Sequence, residues 1–86
     1  MKPIRLSIHA RGYTKKRGFT AAEVHEAISS APWLPCEYGA NRLECSKEFA
    51  YGREWNGRPY GFKRVRPIFV EEDVEIVVVT VYTYYY

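Results

Sequence analysis

The sequence predicts an α+β domain in which two N-terminal helices pack on an antiparallel sheet of three to four strands. Three observations carry that expectation: helix-capping signals within residues 7–31, an Asn56-Gly57 pair between two extended stretches, and a C-terminal run, "VEIVVVTVYTYYY", that is β-branched and aromatic almost throughout. Residues 1–86 read as a single domain, because no repeat or linker divides them and a chain of this length buries one core.

In chain order, Ile4, Leu6 and Ile8 alternate, which suggests a short extended lead-in. Ser7 can then cap a helix over residues 8–17, with Gly18 placed to end it in a left-handed turn. "FTAAEV" supplies Thr20 as N-cap and Glu23 three positions on, a capping box. Phe19 and Val24 stand where a hydrophobic staple closes. Val24, Ala27 and Ile28 line one face of this second helix, which stops before "APWLP" because Pro32 and Pro35 cannot donate backbone hydrogens. Beyond the prolines the period changes to two. Leu43, Cys45, Phe49 and Tyr51 share a side, with Lys47 the exception, Asn56-Gly57 turns the chain, and "FKRVRPIFV" returns it. Pro67 within that return strand demands an edge or a bulge.

The last strand is apolar on both faces around Ile76–Val79, so it should be central and covered on both sides. Val74, Ile76, Val78, Thr80, Tyr82, Tyr84 and Tyr86 share one parity; Val77, Val79, Val81, Thr83 and Tyr85 share the other. One face can go under the helices. The other, rich in tyrosine, either binds something or is covered by loops or a second copy.

An apolar fraction of 47% with two Trp, eight Tyr and four Phe is ample for folding without staples. No apolar run reaches membrane-spanning length, and Met1-Lys2-Pro3 leads into mixed sequence, so a cytoplasmic protein is the expectation. Cys36 and Cys45 form no CxxC pair and read as structural or free thiols. The net charge of +3 is unevenly placed. Lys2, Arg5, Arg11, Lys15, Lys16 and Arg17 occupy residues 1–20 without an acid, and Arg58, Lys63, Arg64 and Arg66 do so in 55–70. Two such blocks either meet as an anion-attracting face or remain scattered solvated charges.

His9 falls in the first turn of its expected helix, among cations. Metal-free RNA cleavage needs a base, a cation on the phosphate and a proton donor, which suit His, Arg or Lys, and Tyr; tyrosines and arginines also stack on unpaired bases. The match is permissive, and a lone histidine also serves structure. There is no P-loop, GxSxG or HExxH pattern. Asp73 is the sole aspartate, which argues against a two-metal nuclease, and no metal or other cofactor is expected.

Three stretches taken in order, "SIHA", "RGFTAAEVHEAI" and "IVVVTVY", resemble the small bacterial domain-of-unknown-function family 4258. Its members read Ser-x-His-Ala, then a basic helix ending Arg-Gly before an apolar residue and Ser or Thr. A helix with Glu-Val-x-x-Ala-Ile and a last strand ending Val-Thr-Val-Tyr follow. That family is similar to the RelE/ParE-like toxin group, and the resemblance implies the RelE-like arrangement of two helices on an antiparallel sheet. It also implies a toxin component of a toxin–antitoxin pair, with metal-independent endoribonuclease activity in some related groups and gyrase as a target, or no known activity, in others. Carried onto matching positions, the candidates are His9 as base or phosphate ligand, Arg17 as phosphate-charge stabiliser, Tyr82 as proton donor or stacking platform, and Thr80 as a binding residue. Arg64 and Arg66 join them from charge and parity. Where members carry an arginine four residues after the histidine, this chain has Tyr13, which puts a phosphate contact in doubt. The partners implied are RNA and an acidic antitoxin-like protein. The alternative is a non-catalytic interaction module that pairs through its C-terminal strand, with a partner or as a homodimer, and leaves His9 and Arg17 structural.

Overall fold

The computed structural model describes residues 1–37 and 39–86. The elements run β1 (Ile4–Leu6), α1 (Ile8–Gly12), α2 (Thr14–Arg17), α3 (Ala21–Ser30), β2 (Leu34–Pro35), β3 (Leu43–Glu44), β4 (Lys47–Trp55), β5 (Arg58–Glu71) and β6 (Ile76–Tyr85). All strands join one six-stranded sheet in the order β1-β6-β5-β3-β2, with β4 also on β5. This corrects the expectation of two helices on three to four antiparallel strands, and with it the RelE-like arrangement. Among the described residues the chain is mostly sheet, carries three short helices, and includes a parallel pair, β1 with β6.

Each difference has a physical cause. The lead-in is a strand because Ile4, Arg5 and Leu6 pair with Ile76, Val77 and Val78. The helix expected over 8–17 divides at Tyr13, whose backbone leaves the helical region (φ −103°, ψ 1°) directly after Gly12, a poor helix former. The strand expected through "RLECSKEFAY" is broken at Cys45-Ser46, and there β5 changes partner from β4 to β3. Pro67 falls opposite that break, so its missing N–H interrupts no ladder, and a bulge follows it at Ile68/Phe69. Other signals hold. The Thr20/Glu23 capping box forms with both reciprocal bonds, and Asn56-Gly57 turns the β4–β5 hairpin with positive φ at both residues.

The bulge reorganises β6. Ile68 pairs with Thr80 but Phe69 with Val78, so Val79 has no partner on β5 and the alternation shifts by one. Ile76 and Val78 face the core before it; Val81 does so after it. Parity counted straight along the strand therefore fails beyond Val79. Helices α1 and α3 cover this inner face, where Ala10, Phe19, Val24, Ala27 and Ile28 meet Leu6, Val65, Phe69, Ile76, Val78 and Val81. Among the described residues no helix packs on the outer face.

A smaller aromatic cluster secures the far end. Tyr85 stacks on Trp55 (4.9 Å, 14°) and contacts Tyr51 and Tyr60, while its hydroxyl donates to the carbonyls of Arg17 and Gly18, both at 3.1 Å. Burial, then the neighbouring Tyr51 and Glu23, pushes the Tyr85 hydroxyl up to about 12, with Arg53 opposing. The folded state thus favours the protonated phenol. Its contribution is complete below the unfolded value near 10 and is lost as pH rises through about 12. Alkaline denaturation is expected to steepen in that window for the native chain and to lose this component in Tyr85→Phe, as followed by circular dichroism with ultraviolet phenolate absorbance.

Candidate nucleic-acid interface

β1 pairs with β6 only at Ile76–Val78, which leaves the outward backbone groups beyond it to find other partners. Side chains from the first helices supply them. Ser7 caps α1 by accepting from Ala10 N, and its hydroxyl donates to the carbonyl of the bulged Val79 at 3.1 Å. α2 ends where Gly18 takes a left-handed conformation (φ 75°), and Arg17 just before it reaches the strand edge. Arg17 Nη1 donates to Val81 O at 2.8 Å and to Thr80 Oγ1 at 3.2 Å, while the Arg17 carbonyl accepts from the Thr83 and Tyr85 hydroxyls. The carbonyls of Val79 and Val81, through which a further strand would add to β6, are thus occupied.

The Arg17 guanidinium is held between two rings, 4.0 Å from the Tyr13 centroid and 5.1 Å from that of Tyr82. Tyr13 in turn lies 4.8 Å from the His9 ring at 53°. Tyr13 is therefore a stacking surface for Arg17 at the position where members of the resembled family often carry an arginine.

Past the bulge, the outer face pairs Arg66 with Tyr82 and Arg64 with Tyr84, and the ladder continues through Phe62 and Tyr86, which exchange backbone hydrogen bonds. Arg66 lies 5.6 Å from the Tyr82 centroid, donates to Tyr84 Oη at 3.3 Å, and makes a bidentate pair with Glu44 at 2.8 and 3.2 Å. The Arg66 bond holds the Glu44 carboxyl below the usual range; desolvation opposes this, and the Cys36 thiol and the Arg66 charge reinforce it. Arg66 is correspondingly raised, first by Glu44 and then by Tyr84. Arg64 donates to Tyr86 Oη at 3.3 Å and lies 3.7 Å from Glu48, which also accepts from the Tyr86 hydroxyl.

The candidate residues therefore form a chain of contacts. His9 touches Tyr13, Tyr13 touches Arg17, Arg17 meets Thr80 and Tyr82, and Tyr82 meets Arg66. Arg64 stands one rung further on. Two features weigh against a finished ribonuclease site. His9 is exposed and, among the described residues, no hydrogen bond orients it. Arg17 is engaged by the strand, and Arg64 and Arg66 are partly neutralised by acids. Glu44 and Glu48 were invisible to sequence reasoning, because their contacts depend on which strands lie beside β5. Tyr13, Tyr84 and Tyr86 also belong to the surface, and only the tyrosine-rich run signalled the last two. Unneutralised charge comes from the adjacent helices: among the described residues Arg11, Lys15 and Lys16 make no ion pair and are exposed.

Among the described residues no cluster of His, Cys, Asp and Glu is arranged for a metal ion. Cys36 turns to Glu44 while Cys45 faces the core, where burial pushes its thiol up to about 11, and both are free. An open cleft of about 540 Å³ lies beside the β2–β3 hairpin, lined by Pro35, Cys36, Leu43 and Val70 among others, and includes none of the candidate residues. Among the described residues no helix is long and apolar enough to cross a membrane.

No family model matches the chain, and neither does any curated protein or solved structure. The family resemblance therefore rests on its three sequence motifs alone.

Proposed function

We propose that this chain is a toxin-like RNA-binding domain whose outer sheet face holds the nucleic acid. One observation carries this reading: a face free of helices among the described residues, on which Tyr82, Tyr84 and Tyr86 are 38%, 44% and 48% exposed and interleaved with Arg17, Arg64 and Arg66. An open sheet that offers aromatic rings to bases, with cations beside it for phosphates, is a recurring way to hold single-stranded RNA. Arg11, Lys15 and Lys16 supply the attraction for the backbone; Arg64 and Arg66, paired with Glu48 and Glu44, and Arg17, bonded to the strand edge, fix the rings more than they bind phosphate. An acidic antitoxin-like segment is the partner whose charge complements this surface. If the domain also cleaves, His9 is the candidate base, Arg17 the group nearest a phosphate and Tyr82 the donor. The engagement of Arg17 by Val81 and Thr80 makes binding the better supported half of the proposal.

The test is equilibrium binding of the purified chain to a labelled, unstructured oligoribonucleotide, with product integrity read on the same samples. Binding is expected at about 50 mM salt and to weaken several-fold by about 200 mM, the signature of a few phosphate contacts. Absence of binding at low salt by folded protein would sink the proposal. Intact RNA on bound protein would confine it to recognition; cleavage lost in His9→Ala would extend it to catalysis.

A further inference from the structure

We infer that Tyr84 is a base-stacking rung, and that the outer face selects an unstacked single strand over a duplex or a second copy of the chain; this rests on the RNA-binding reading. Among the described residues the three outer tyrosines differ in what their rings already touch. Tyr82 is clasped by the Arg17 and Arg66 guanidinium groups, 5.1 and 5.6 Å from its centroid. Tyr86 lies on Phe62, with centroids 5.9 Å apart and planes at 27°. Among the described residues Tyr84 has neither a ring nor a cation against its face; it is 44% exposed and is fixed at its tip by the Arg66 donor at 3.3 Å. It is an oriented ring with an open face between two rings already occupied. Such preorganisation lowers the ordering cost of stacking a base.

Spacing decides the kind of strand. Alternate residues of a strand on one face lie roughly 6.5–7 Å apart, whereas stacked bases lie about 3.4 Å apart. Bases on successive rungs must therefore be splayed, which a duplex does not allow. Charge complementarity favours a polyanion over a second copy. Arg11, Lys15 and Lys16 lie on the helices that carry Tyr13 and Arg17 to this edge, without acidic partners among the described residues, and two copies apposed here would bring like charges together.

Fluorescence anisotropy on the full chain tests this with a short unstructured oligoribonucleotide, the same strand annealed to its complement, and a deoxy strand of the same sequence. The single strand is expected to bind and the duplex to bind at least several-fold more weakly. Tyr84→Ala should weaken single-strand binding roughly 5- to 100-fold, the range of one lost base–aromatic stack. Tyr84→Phe, which keeps the ring and loses only the Arg66 bond, should stay within about twofold of the native chain. A deoxy strand binding equally well supports the stacking rung and assigns the face to single strands of either sugar. Equal affinity for duplex and single strand, with Tyr84→Ala unchanged and folded, overturns the inference while leaving RNA binding standing. No binding by any form removes the RNA-binding reading itself. Sedimentation showing a dimer that Tyr84→Ala dissolves assigns the face to a second copy and also overturns the inference.

Discussion

Gly18→Ala is expected to destabilise the fold by roughly 2–4 kcal/mol, through two effects that add at one position. The backbone there is left-handed (φ 75°), where an L side chain costs about 1–2 kcal/mol. A Cβ would also lie 2.1 Å from the Tyr85 hydroxyl oxygen and 2.7 Å from the Trp55 ring. Neither ring can withdraw cheaply. Tyr85 is stacked on Trp55 and wedged by Tyr51 and Tyr60, and its hydroxyl holds the carbonyls of Arg17 and Gly18. The substitution therefore strains the turn and opens the cluster that pins the end of α2 to the sheet. Urea unfolding of both proteins measures it; a midpoint shift equivalent to under about 0.5 kcal/mol would contradict the tight approach of Gly18 to that cluster.

The second large effect is an asymmetry between two partners of one ion pair. Lys63 is 4% exposed on the inner face of β5, and its ammonium reaches Glu23 at 2.7 Å and the Gly18 carbonyl at 3.0 Å, with the Tyr51 ring 5.3 Å away. Glu23 is 21% exposed and also accepts from Thr20 N at 2.9 Å in the capping box. Removing the carboxylate leaves a buried ammonium short of its counter-charge and removes the Glu23 half of the capping box, although Thr20 still caps the backbone N–H of residue 23, so Glu23→Ala should cost about 3 kcal/mol or more. Lys63→Met replaces the stem with an apolar one and leaves Glu23 near solvent and still capping, so its cost should stay within about 1 kcal/mol. Thermal melts of the two variants and their double mutant decide the matter. If Lys63→Met were as damaging as Glu23→Ala, the pair would be a net stabiliser, contrary to this account.

The elements that local chemistry writes into consecutive residues were legible in the sequence. Thr20 and Glu23 announce α3, Asn56-Gly57 the hairpin, Gly18 the end of α2, and Pro67 an irregularity in β5. What required distant partners was not. Three residues of β1 cannot advertise a parallel pairing more than seventy positions away. The bulge at Val79 sits in a run of valines that reads alike at every register, so the parity that should separate the two faces of β6 shifted without a mark. That same shift sends Val81 to the core. In the site, Arg64 and Arg66 share a face by simple alternation, but their acidic partners come from β3 and β4 and only the assembled sheet brings them there. Arg17 was identifiable as a candidate, yet its engagement by the edge of β6 depends on β1 ending at Leu6.

The central claim is that the outer sheet face, and not the basic helix surface alone, receives RNA. The most direct measurement is a titration of isotopically labelled protein with an unstructured oligoribonucleotide, followed by backbone and tyrosine-ring nuclear magnetic resonance. The largest shifts are expected on Arg64, Arg66, Tyr82, Tyr84 and Tyr86, with smaller ones at Arg11, Lys15 and Lys16 and none centred on α3. Shifts confined to Arg11, Lys15 and Lys16, with the three tyrosine rings unmoved at saturation, would contradict it.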